Sequence, residues 1–242
     1  MTDIPLISVI IPAYNARQFI AAAINSVLDQ EGQVDLIVVD DGSTDGTTDE
    51  VTKMGKDVRL IQSPKNEGLP NALNRGLELA RGQLIGFLDA DDTWLPDRLG
   101  AERELFSHHA DIAAVWGKTR IVFLSDGDAV GLTSPDWPPQ HFPALGSMLF
   151  RKEVFERLGR FNPVFQHAQD IDFLARAQEM HLKLLRHEAI VLTWRRHEAN
   201  MTNNVELDRD YLVTAIRQAL HRRRSASIDS GLKLSSFGSC YE

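Results

Sequence analysis

Three aspartates, Asp89, Asp91 and Asp92, come directly after an apolar run that ends at Leu88. The run predicts a buried strand, and carboxylates gathered at its end repel one another unless a cation lies among them. Carboxylate oxygens are hard ligands that suit Mg²⁺ or Mn²⁺. Because Asp92 and Pro96 can also begin the next helix, Asp89 and Asp91 are the candidate metal ligands. A solvated acidic loop is the alternative interpretation.

A second acidic pair, Asp40 and Asp41, ends another apolar run and precedes a Gly-Ser turn. A turn that caps a helix needs only one such residue, so the pair favours ligand binding, for example to a uracil N3–H or to ribose hydroxyls. Pro12 lacks a donor and is expected to end the first strand. Beyond it, Tyr14 offers a flat ring on which a base could stack, although a tyrosine that only covers the sheet edge explains the residue equally well.

Three weaker candidates lie further along the chain. The segment 66–76 opens a helix whose N-terminus favours phosphate, but a capped helix with a tight glycine turn explains it as well. Asp170 begins a helix in the second half, where the helix dipole alone favours an acid, and the functional alternative is a general base. His197 follows the last apolar run and becomes a metal-site candidate if that strand reaches the aspartates.

The first half of the chain must position the acidic clusters. Strands alternating with helices imply βαβ units with right-handed crossovers, hence a doubly wound, mostly parallel sheet in which strands one and four are neighbours. Ligands bind beyond the carboxyl ends of such strands, where the polar clusters converge. We predict strands over 6–11, 36–39, 58–61 and 84–88, and helices over 18–28, 45–54 and 69–80.

The second half is less regular. The helix over 207–220 is amphipathic and precedes three arginines; we favour packing on its own domain, and contact with an anionic membrane surface or a partner is the alternative. The remaining predictions are helices over 96–108, 144–158 and 171–181, strands over 112–116, 121–124 and 190–194, a loop over 134–143 and a mobile tail over 225–242.

Composition restricts the classes of function. The chain has 242 residues and a net charge of −8, so nucleic acid is not an expected partner. Its one cysteine, Cys240, excludes a disulfide framework. No run of eighteen apolar residues predicts a membrane-spanning helix, and the first residues lack the pattern of a signal peptide. We therefore expect a cytoplasmic protein, with peripheral contact at the inner face of the membrane as an open alternative.

Taken in order, these segments resemble the family 2 glycosyltransferases of GT-A fold. The resemblance covers residues from about 5 to 204, and although each segment alone is weak, the ordered set is specific. The matching segments are Val9–Asn15, Val39–Asp45, Asn66–Gly68, Ala72–Gly76, Ala80–Gly82, Phe87–Asp92, Gly146–Arg151, Gln169–Asp170 and Arg195–His197.

The resemblance implies an α/β, Rossmann-like GT-A domain and an inverting sugar transfer. The donor would be a nucleoside-diphosphate sugar, most often a UDP-sugar, and the acceptor a glycan or a lipid-linked hydroxyl, as in cell-surface polysaccharide or glycan biosynthesis. The catalytic domain would cover 1–204, with a nucleotide-sugar half over 1–117 and an acceptor half over 118–204. A C-terminal helix and flexible tail would follow over 205–242, and a homodimer is left open.

The resemblance also implies roles for individual residues. Asp170 matches the base that deprotonates the acceptor, and Asp91, with Asp89 and His197, matches the Mn²⁺ or Mg²⁺ site. The family usually has glutamate before the base, whereas Gln169 is found here. A neutral amide adds no acidity, so a difference in acceptor geometry or in the pKa of the base is expected. Nucleotide-sugar binding is implied for Pro12, Tyr14, Asp40, Asp41, Asn66, Asn74 and Asp89.

Two alternative functions remain at this point. The segment Asp89–Thr93 fits the DxDxT pattern of haloacid-dehalogenase-like phosphatases, but there the motif follows the first strand, and here three strands precede it. A non-catalytic nucleotide-sugar-binding protein is the second alternative, and Gln169 favours it slightly.

Overall fold

The computed structural model describes residues 5–124, 132–133, 137–198, 200 and 205–225. Its strands are β1 (Ile7–Ala13), β2 (Val34–Asp40), β3 (Val58–Gln62), β4 (Leu84–Phe87), β5 (Thr93–Trp94), β6 (Ala114–Phe123), β7 (Leu132–Thr133), β8 (Met148–Arg151) and β9 (Leu184–Arg196). Its helices are α1 (Ile20–Leu28), α2 (Thr47–Lys53), α3 (Leu69–Leu79), α4 (Arg98–His108), α5 (Glu153–Leu158), α6 (Gln169–Glu179) and α7 (Val205–Ser225). Two short 3₁₀ turns cover Gly55–Asp57 and Leu145–Ser147.

The strands form one sheet in the order β3-β2-β1-β4-β8-β6-β9-β5, and β7 pairs with β6. Strands β3, β2, β1 and β4 are parallel, so their carboxyl ends share one edge. As predicted, β1 and β4 are direct neighbours, with Ile10 opposite Phe87. β8 is antiparallel to β4 and β6, whereas β9 is parallel to β6. The predicted α/β class is confirmed.

Every residue of β1 is buried because helices cover both faces of the sheet. Successive side chains of a strand point to opposite faces, and β1 follows this rule. Val9 belongs to one apolar cluster with Ile24 and Val27 of α1. Ile10 belongs to a second cluster with Leu73 of α3. The helix layers therefore fix the sheet whose carboxyl edge carries the acidic loops.

Pro12 does not end β1, contrary to the prediction, because the strand continues to Ala13. The N–H of Asp41 donates to Ala13 O over 2.8 Å, on the β2 side, and the N–H of Leu88 donates to Ile10 O over 3.1 Å, on the β4 side. Alternate residues of a parallel strand bond to opposite neighbours. The nitrogen of Pro12 therefore faces the side where pairing with β4 has already stopped, and its missing donor removes no ladder bond.

The predicted helix over 144–158 is wrong except at its end, where α5 covers Glu153–Leu158. A 3₁₀ turn, β8 and then α5 occupy this stretch. Met148, Leu149 and Phe150 are fully buried, and their strand pairs with β4 on one side and β6 on the other. A short apolar run of this kind does not distinguish a buried strand from a helix.

The sequence predicts two short strands where the structure has the single long strand β6. The register of β6 with β9 shifts on both sides of Lys118. A Cβ atom on neighbouring Gly117 would lie 2.6 Å from Val191 of β9. A larger residue would force the strands apart at this point, so the glycine that looks like a break in the pattern allows the pairing to continue.

The C-terminal helix α7 extends beyond the predicted range 207–220 at both ends, and Ser225 of the predicted tail belongs to it. The rest of that tail, 226–242, lies outside the described residues. Within the part of the chain that the structure describes, no helix combines the length and the apolar character needed to cross a bilayer. Strand β6 crosses the boundary between 117 and 118, and the division into two halves stays a prediction.

Candidate active site

Side chains fasten the loops after β1 and β2 to each other. Asn15 adopts a φ of 50°, which asparagine tolerates better than most residues. Its N–H donates to Ser43 Oγ over 2.9 Å, and its Oδ1 accepts from the N–H of Thr44 over 2.9 Å. This conformation leaves the side chain of Tyr14 50% exposed. The ring is therefore accessible to a ligand at the carboxyl edge of the sheet.

Asp40 and Pro12 are buried beneath that edge. The Oδ1 atom of Asp40 accepts from the N–H of Ser43 over 3.0 Å, and its Oδ2 atom accepts from the hydroxyl of Thr48. These bonds shape the turn that leads from β2 into α2. The nucleotide-sugar contacts predicted for Asp40 and Pro12 stay predictions.

Asp41 ties the end of β2 to the loop before α3. Its Oδ2 atom accepts from the N–H of Gly68 over 2.7 Å and from the N–H of Glu67 over 3.0 Å. Asn66 is exposed, and its Oδ1 atom also accepts from the N–H of Gly68, over 3.0 Å. Gly68 has a φ of 93°, and a Cβ atom there would collide with the side chain of Gln166. The loop after β2, the start of α3 and the segment before α6 thus lie together.

The side chain of Asn74 contacts the backbone of the chain that leads into α6. Its Nδ2–H donates to Phe161 O over 2.9 Å, and its Oδ1 atom accepts from the N–H of Phe161 over 3.0 Å. The side chain therefore fixes α3 to the chain that leads into α6. A nucleotide-sugar contact for Asn74 stays a prediction.

Asp91, His197 and Asn200 form a compact polar cluster. The Oδ2 atom of Asp91 lies 3.2 Å from His197 Nε2 and accepts from Asn200 Nδ2 over 2.9 Å. The Oδ1 atom of Asn200 in turn accepts from the backbone N–H of His197 over 2.6 Å. The predicted pairing of Asp91 with His197 is thus present as a contact, across 106 residues of sequence.

Arg195 and Phe19 pack against this cluster. The guanidinium of Arg195 donates to Asp91 O and lies over the ring of Phe19 at 5.5 Å. The ring of His197 stacks on the same phenyl ring, with centroids 4.2 Å apart. Asp92 is buried and accepts from the N–H of Arg195 over 2.9 Å, so its role is structural, as the sequence allowed.

Sequence reasoning did not assign roles to Asn200 and Arg195. Both lie in the run 195–200 with His197, and that proximity is the signal that could have identified them. Their contacts to Asp91 span 109 and 104 residues, which a single sequence does not reveal.

Asp89, Asp91 and Asp170 influence one another electrostatically. Part of Asp89 reaches solvent, but its carboxyl group is surrounded by protein. Partial burial, then the charges of Asp91 and Asp170, raise the pKa of Asp89 to about 7. Carboxylates from the end of β4 and the start of α6 therefore lie within Coulombic range of one another.

The donor set suits a divalent cation. Asp91 Oδ2 and His197 Nε2 lie 3.2 Å apart. Burial is the main cause of the raised pKa of Asp89, and a cation would relieve the repulsion from Asp91 and Asp170 that adds to it. Among the described residues no group of three or more histidine, cysteine, aspartate or glutamate side chains could hold a metal ion. Mg²⁺ is commonly bound through one or two carboxylates together with substrate phosphates, so two side chains and a diphosphate would complete such a site.

Helix α6 carries Asp170 in its first turn. Its Oδ1 atom accepts from the N–H of Ile171 over 2.8 Å. Asp172, two residues on, is buried and accepts from Arg176 over 3.0 Å and from Arg222 of α7 over 3.1 Å. The neighbouring Gln169 Oε1 atom is buried and has no hydrogen-bond partner within the described part of the chain. Of the two acids, Asp172 holds the helix in place, and Asp170 lies within Coulombic range of Asp89.

Comparisons with known proteins identify the relatives of this chain. The model of a family described as glycosyl transferase family 2 matches residues 8–159. An uncharacterized glycosyltransferase of Nostoc sp. is 33% identical over 175 residues, which are 65% of this chain and 54% of that protein. The succinoglycan biosynthesis protein ExoO of Rhizobium meliloti is 34% identical over 175 residues, 67% of this chain and 48% of its own. The chain spans about half the length of these relatives.

Two solved structures share the fold. TarS of S. aureus in complex with UDP-GlcNAc superimposes with a TM-score of 0.73 and 20% identity, covering 88% of this chain and 65% of that one. The mannosyltransferase PcManGT of Pyrobaculum calidifontis, in complex with GDP-Man and Mn²⁺, gives 0.71 and 21%, covering 91% and 65%. The fold is that of the GT-A glycosyltransferases, and the match over 8–159 shows that the chain belongs to glycosyltransferase family 2.

Proposed function

We propose that the chain carries the catalytic domain of an inverting, metal-dependent glycosyltransferase that moves a sugar from a nucleoside-diphosphate sugar to an acceptor hydroxyl. The observation that carries the proposal is the contact of Asp91 with His197 at 3.2 Å, with Asp89 within Coulombic range of both Asp91 and Asp170. These candidate metal ligands and the candidate base come from separate elements, which supports a shared site.

Donor binding is assigned to the loops after β1, β2 and β4. The half-exposed ring of Tyr14 would stack on the base. Asp41 and Asn66 lie in the adjoining loops and would hold the base and its ribose, and Asp89 would contact the ribose or the metal. We favour a UDP-sugar as the donor. TarS binds UDP-GlcNAc and PcManGT binds GDP-Man, so the two similar structures do not favour one base over the other.

A divalent cation held by Asp91 and His197 would neutralise charge on the diphosphate leaving group. Asn200 and Arg195 keep the Asp91 carboxylate and the imidazole in place for this task. The side chains thus pre-organise the site before the donor arrives. The donor diphosphate would supply the oxygen ligands that the protein itself does not.

Asp170 is assigned as the general base. It would accept the proton of the acceptor hydroxyl while that oxygen attacks the anomeric carbon from the face opposite the leaving diphosphate, which inverts the configuration. The N-terminal position on α6 favours the ionised carboxylate that a base requires. Base catalysis of this kind contributes about 10²–10⁴-fold. The name of ExoO supports a polysaccharide or glycan pathway for the product.

A thermal-shift screen tests the donor site. UDP-, GDP- and dTDP-sugars are compared with and without Mn²⁺, and we expect stabilisation by one nucleotide class that depends on Mn²⁺. A donor at about 100 times its Kd stabilises the folded state by about 2.7 kcal/mol. Absence of any donor-dependent shift would contradict the proposal.

Turnover separates the remaining alternatives. Release of nucleoside diphosphate with an acceptor present supports the transferase, whereas stabilisation without turnover of any donor would favour a non-catalytic binding protein. Hydrolysis of p-nitrophenyl phosphate would favour the phosphatase. The motif of that family follows the first strand of its fold, whereas here it follows the fourth strand, β4.

A further inference from the structure

Helix α7 presents its larger aliphatic side chains to solvent. Leu212, Val213, Ile216 and Leu220 are 38%, 36%, 41% and 44% exposed. At 100° per residue they fall within one third of the helix circumference. The side facing the domain carries small residues instead, including Ala215 and Ala219, which are buried. An ordinary surface helix shows the reverse arrangement, with its large apolar residues toward the core.

The helix is held firmly in this orientation. The guanidinium of Arg222 donates to Glu179 over 2.9 Å and to Asp172 over 3.1 Å, both on α6. The ring of Tyr211 stacks on His167, three residues before Asp170, with centroids 5.3 Å apart. The outward face of α7 is therefore fixed relative to the helix that carries the candidate base.

Basic side chains border the aliphatic face. Arg209, Arg217 and Arg224 are exposed, although the chain as a whole carries a net charge of −8. Arg217 follows Ile216 directly, and Arg224 lies one turn beyond Leu220, so both flank the aliphatic residues. Over 212–224 the sequence holds four arginines and no acid, whereas the acids of α7 lie at its start, at Glu206, Asp208 and Asp210. The local charge is thus opposite in sign to that of the whole protein.

A second copy of the chain fits this surface less well than a bilayer. Stable dimers bury about 800 Å² per partner, and four side chains that are each less than half exposed provide much less apolar area. A helix lying on a bilayer needs no such extended, complementary surface, because aliphatic residues enter the interface while flanking arginines contact anionic headgroups.

We propose that α7 docks on an anionic lipid bilayer, with Leu212, Val213, Ile216 and Leu220 in the interface and Arg217 and Arg224 at the headgroups. Because α7 packs on α6, docking holds the start of α6 near the membrane. This consequence rests on the proposed function, whereas the docking surface itself does not.

Vesicle co-sedimentation of the full chain tests the surface. Wild type is compared on vesicles of phosphatidylcholine with phosphatidylglycerol and on phosphatidylcholine alone, and we expect strong binding to the anionic vesicles that decreases with salt. The double substitution Ile216→Ser, Leu220→Ser should reduce partitioning at least ~10-fold, since each removes several methylene groups from the interface. Arg217→Gln with Arg224→Gln should reduce it by a similar factor, because each basic residue contributes about 1 kcal/mol.

Two matched controls and one further readout make the test decisive. Leu79→Ser removes an aliphatic side chain that is 37% exposed on α3, and Lys56→Gln removes an exposed charge near β3; both should leave vesicle binding unchanged. Equal loss in a control and an α7 variant, or no binding by wild type, would overturn the proposal. So would a wild-type dimer that the Ile216→Ser, Leu220→Ser variant dissociates in analytical ultracentrifugation.

The donor-dependent thermal shift is measured on the same variants. We expect it to be unchanged in the α7 variants, because none of the substituted residues lies at the donor loops. A lost thermal shift in wild type with intact vesicle binding would count against the proposed function and leave the membrane surface standing.

Discussion

The two halves of the sheet hold their functional residues in different ways. In the parallel half, each loop after a strand is fastened to the next loop, as where Asp41 accepts from the N–H groups of Glu67 and Gly68. In the mixed half, the residues that face the site come from distant parts of the chain, as where Asn200 reaches Asp91. The proposed donor side is therefore held by neighbouring loops, whereas the proposed metal and acceptor side depends on a few long-range contacts.

This difference predicts where single substitutions act on binding and where they act on turnover. A change at the junction of the halves should abolish both, and a change at the start of α6 should remove turnover alone. Substitutions that weaken the long-range contacts should have graded effects.

Asp91 lies at the junction and should give the largest effect. We expect Asp91→Ala to abolish Mn²⁺-dependent donor binding, because the substitution removes the carboxylate that faces His197. Isothermal titration of the donor with Mn²⁺ measures this. Asp111→Ala, at an exposed carboxylate paired with Lys183 away from the site, is the control. Mn²⁺-linked binding that survives in Asp91→Ala would refute the assigned metal site.

Asp170→Asn should separate turnover from binding. The amide keeps the shape of the side chain but does not accept the proton of the acceptor, so we expect transfer to fall by about 10²–10⁴-fold with donor binding retained. Initial rates of nucleoside diphosphate release and the donor thermal shift give the two readouts. Unchanged transfer would show that Asp170 is not the base. The mixed half of the sheet would then have no assigned base.

Asn200→Ala tests the long-range support of the metal pair. The substitution removes the Nδ2–H group that donates a hydrogen bond to Asp91 Oδ2, and it leaves both candidate metal ligands in place. Partners of metal ligands typically contribute about 10–100-fold to metal affinity, so we expect the Mn²⁺ concentration for half-maximal donor binding to rise by about 10-fold. Asn25→Ala, at an exposed position on α1, should not change it. An identical Mn²⁺ dependence in Asn200→Ala would mean that Asp91 and His197 are positioned without it.

The sequence predicted the parallel half well because its geometry follows from local pattern. Alternating strands and helices place Tyr14, Asp41 and Asp89 at one edge without any knowledge of tertiary contacts. The mixed half was predicted poorly for the opposite reason. The apolar residues of β8 fit a helix or a strand until their pairing with β4 and β6 is known, and the support that Arg195 gives Asp91 spans 104 residues.

Asn74→Ala is expected to change the stability of the fold rather than its function. Its amide satisfies both backbone groups of Phe161, a residue that is 1% exposed. Leaving a buried polar group without a partner costs about 1–3 kcal/mol, so we expect the free energy of unfolding to decrease by that amount in urea denaturation. Asn71→Ala is the control on the same helix, α3. It removes one hydrogen bond to Glu67 O and should decrease the free energy of unfolding by less. A loss of donor binding larger than the loss of stability would instead support the nucleotide-sugar role predicted for Asn74.

The smallest expected effect is a pH dependence at the amino edge of the parallel half, away from the site. Burial raises the pKa of Asp35, but hydrogen bonds from Ser8, Arg59 and the backbone N–H of Arg81, with the charge of Arg59, outweigh it and lower the pKa overall. A lowered folded-state pKa gives stability that is present above the unfolded value and is lost as pH falls through the folded value. We therefore expect acid unfolding of wild type to be steeper than that of Asp35→Asn, which is less stable at neutral pH. Equal pH profiles for the two proteins would show that this network contributes little, and that the parallel half depends on apolar packing rather than on its ion pair.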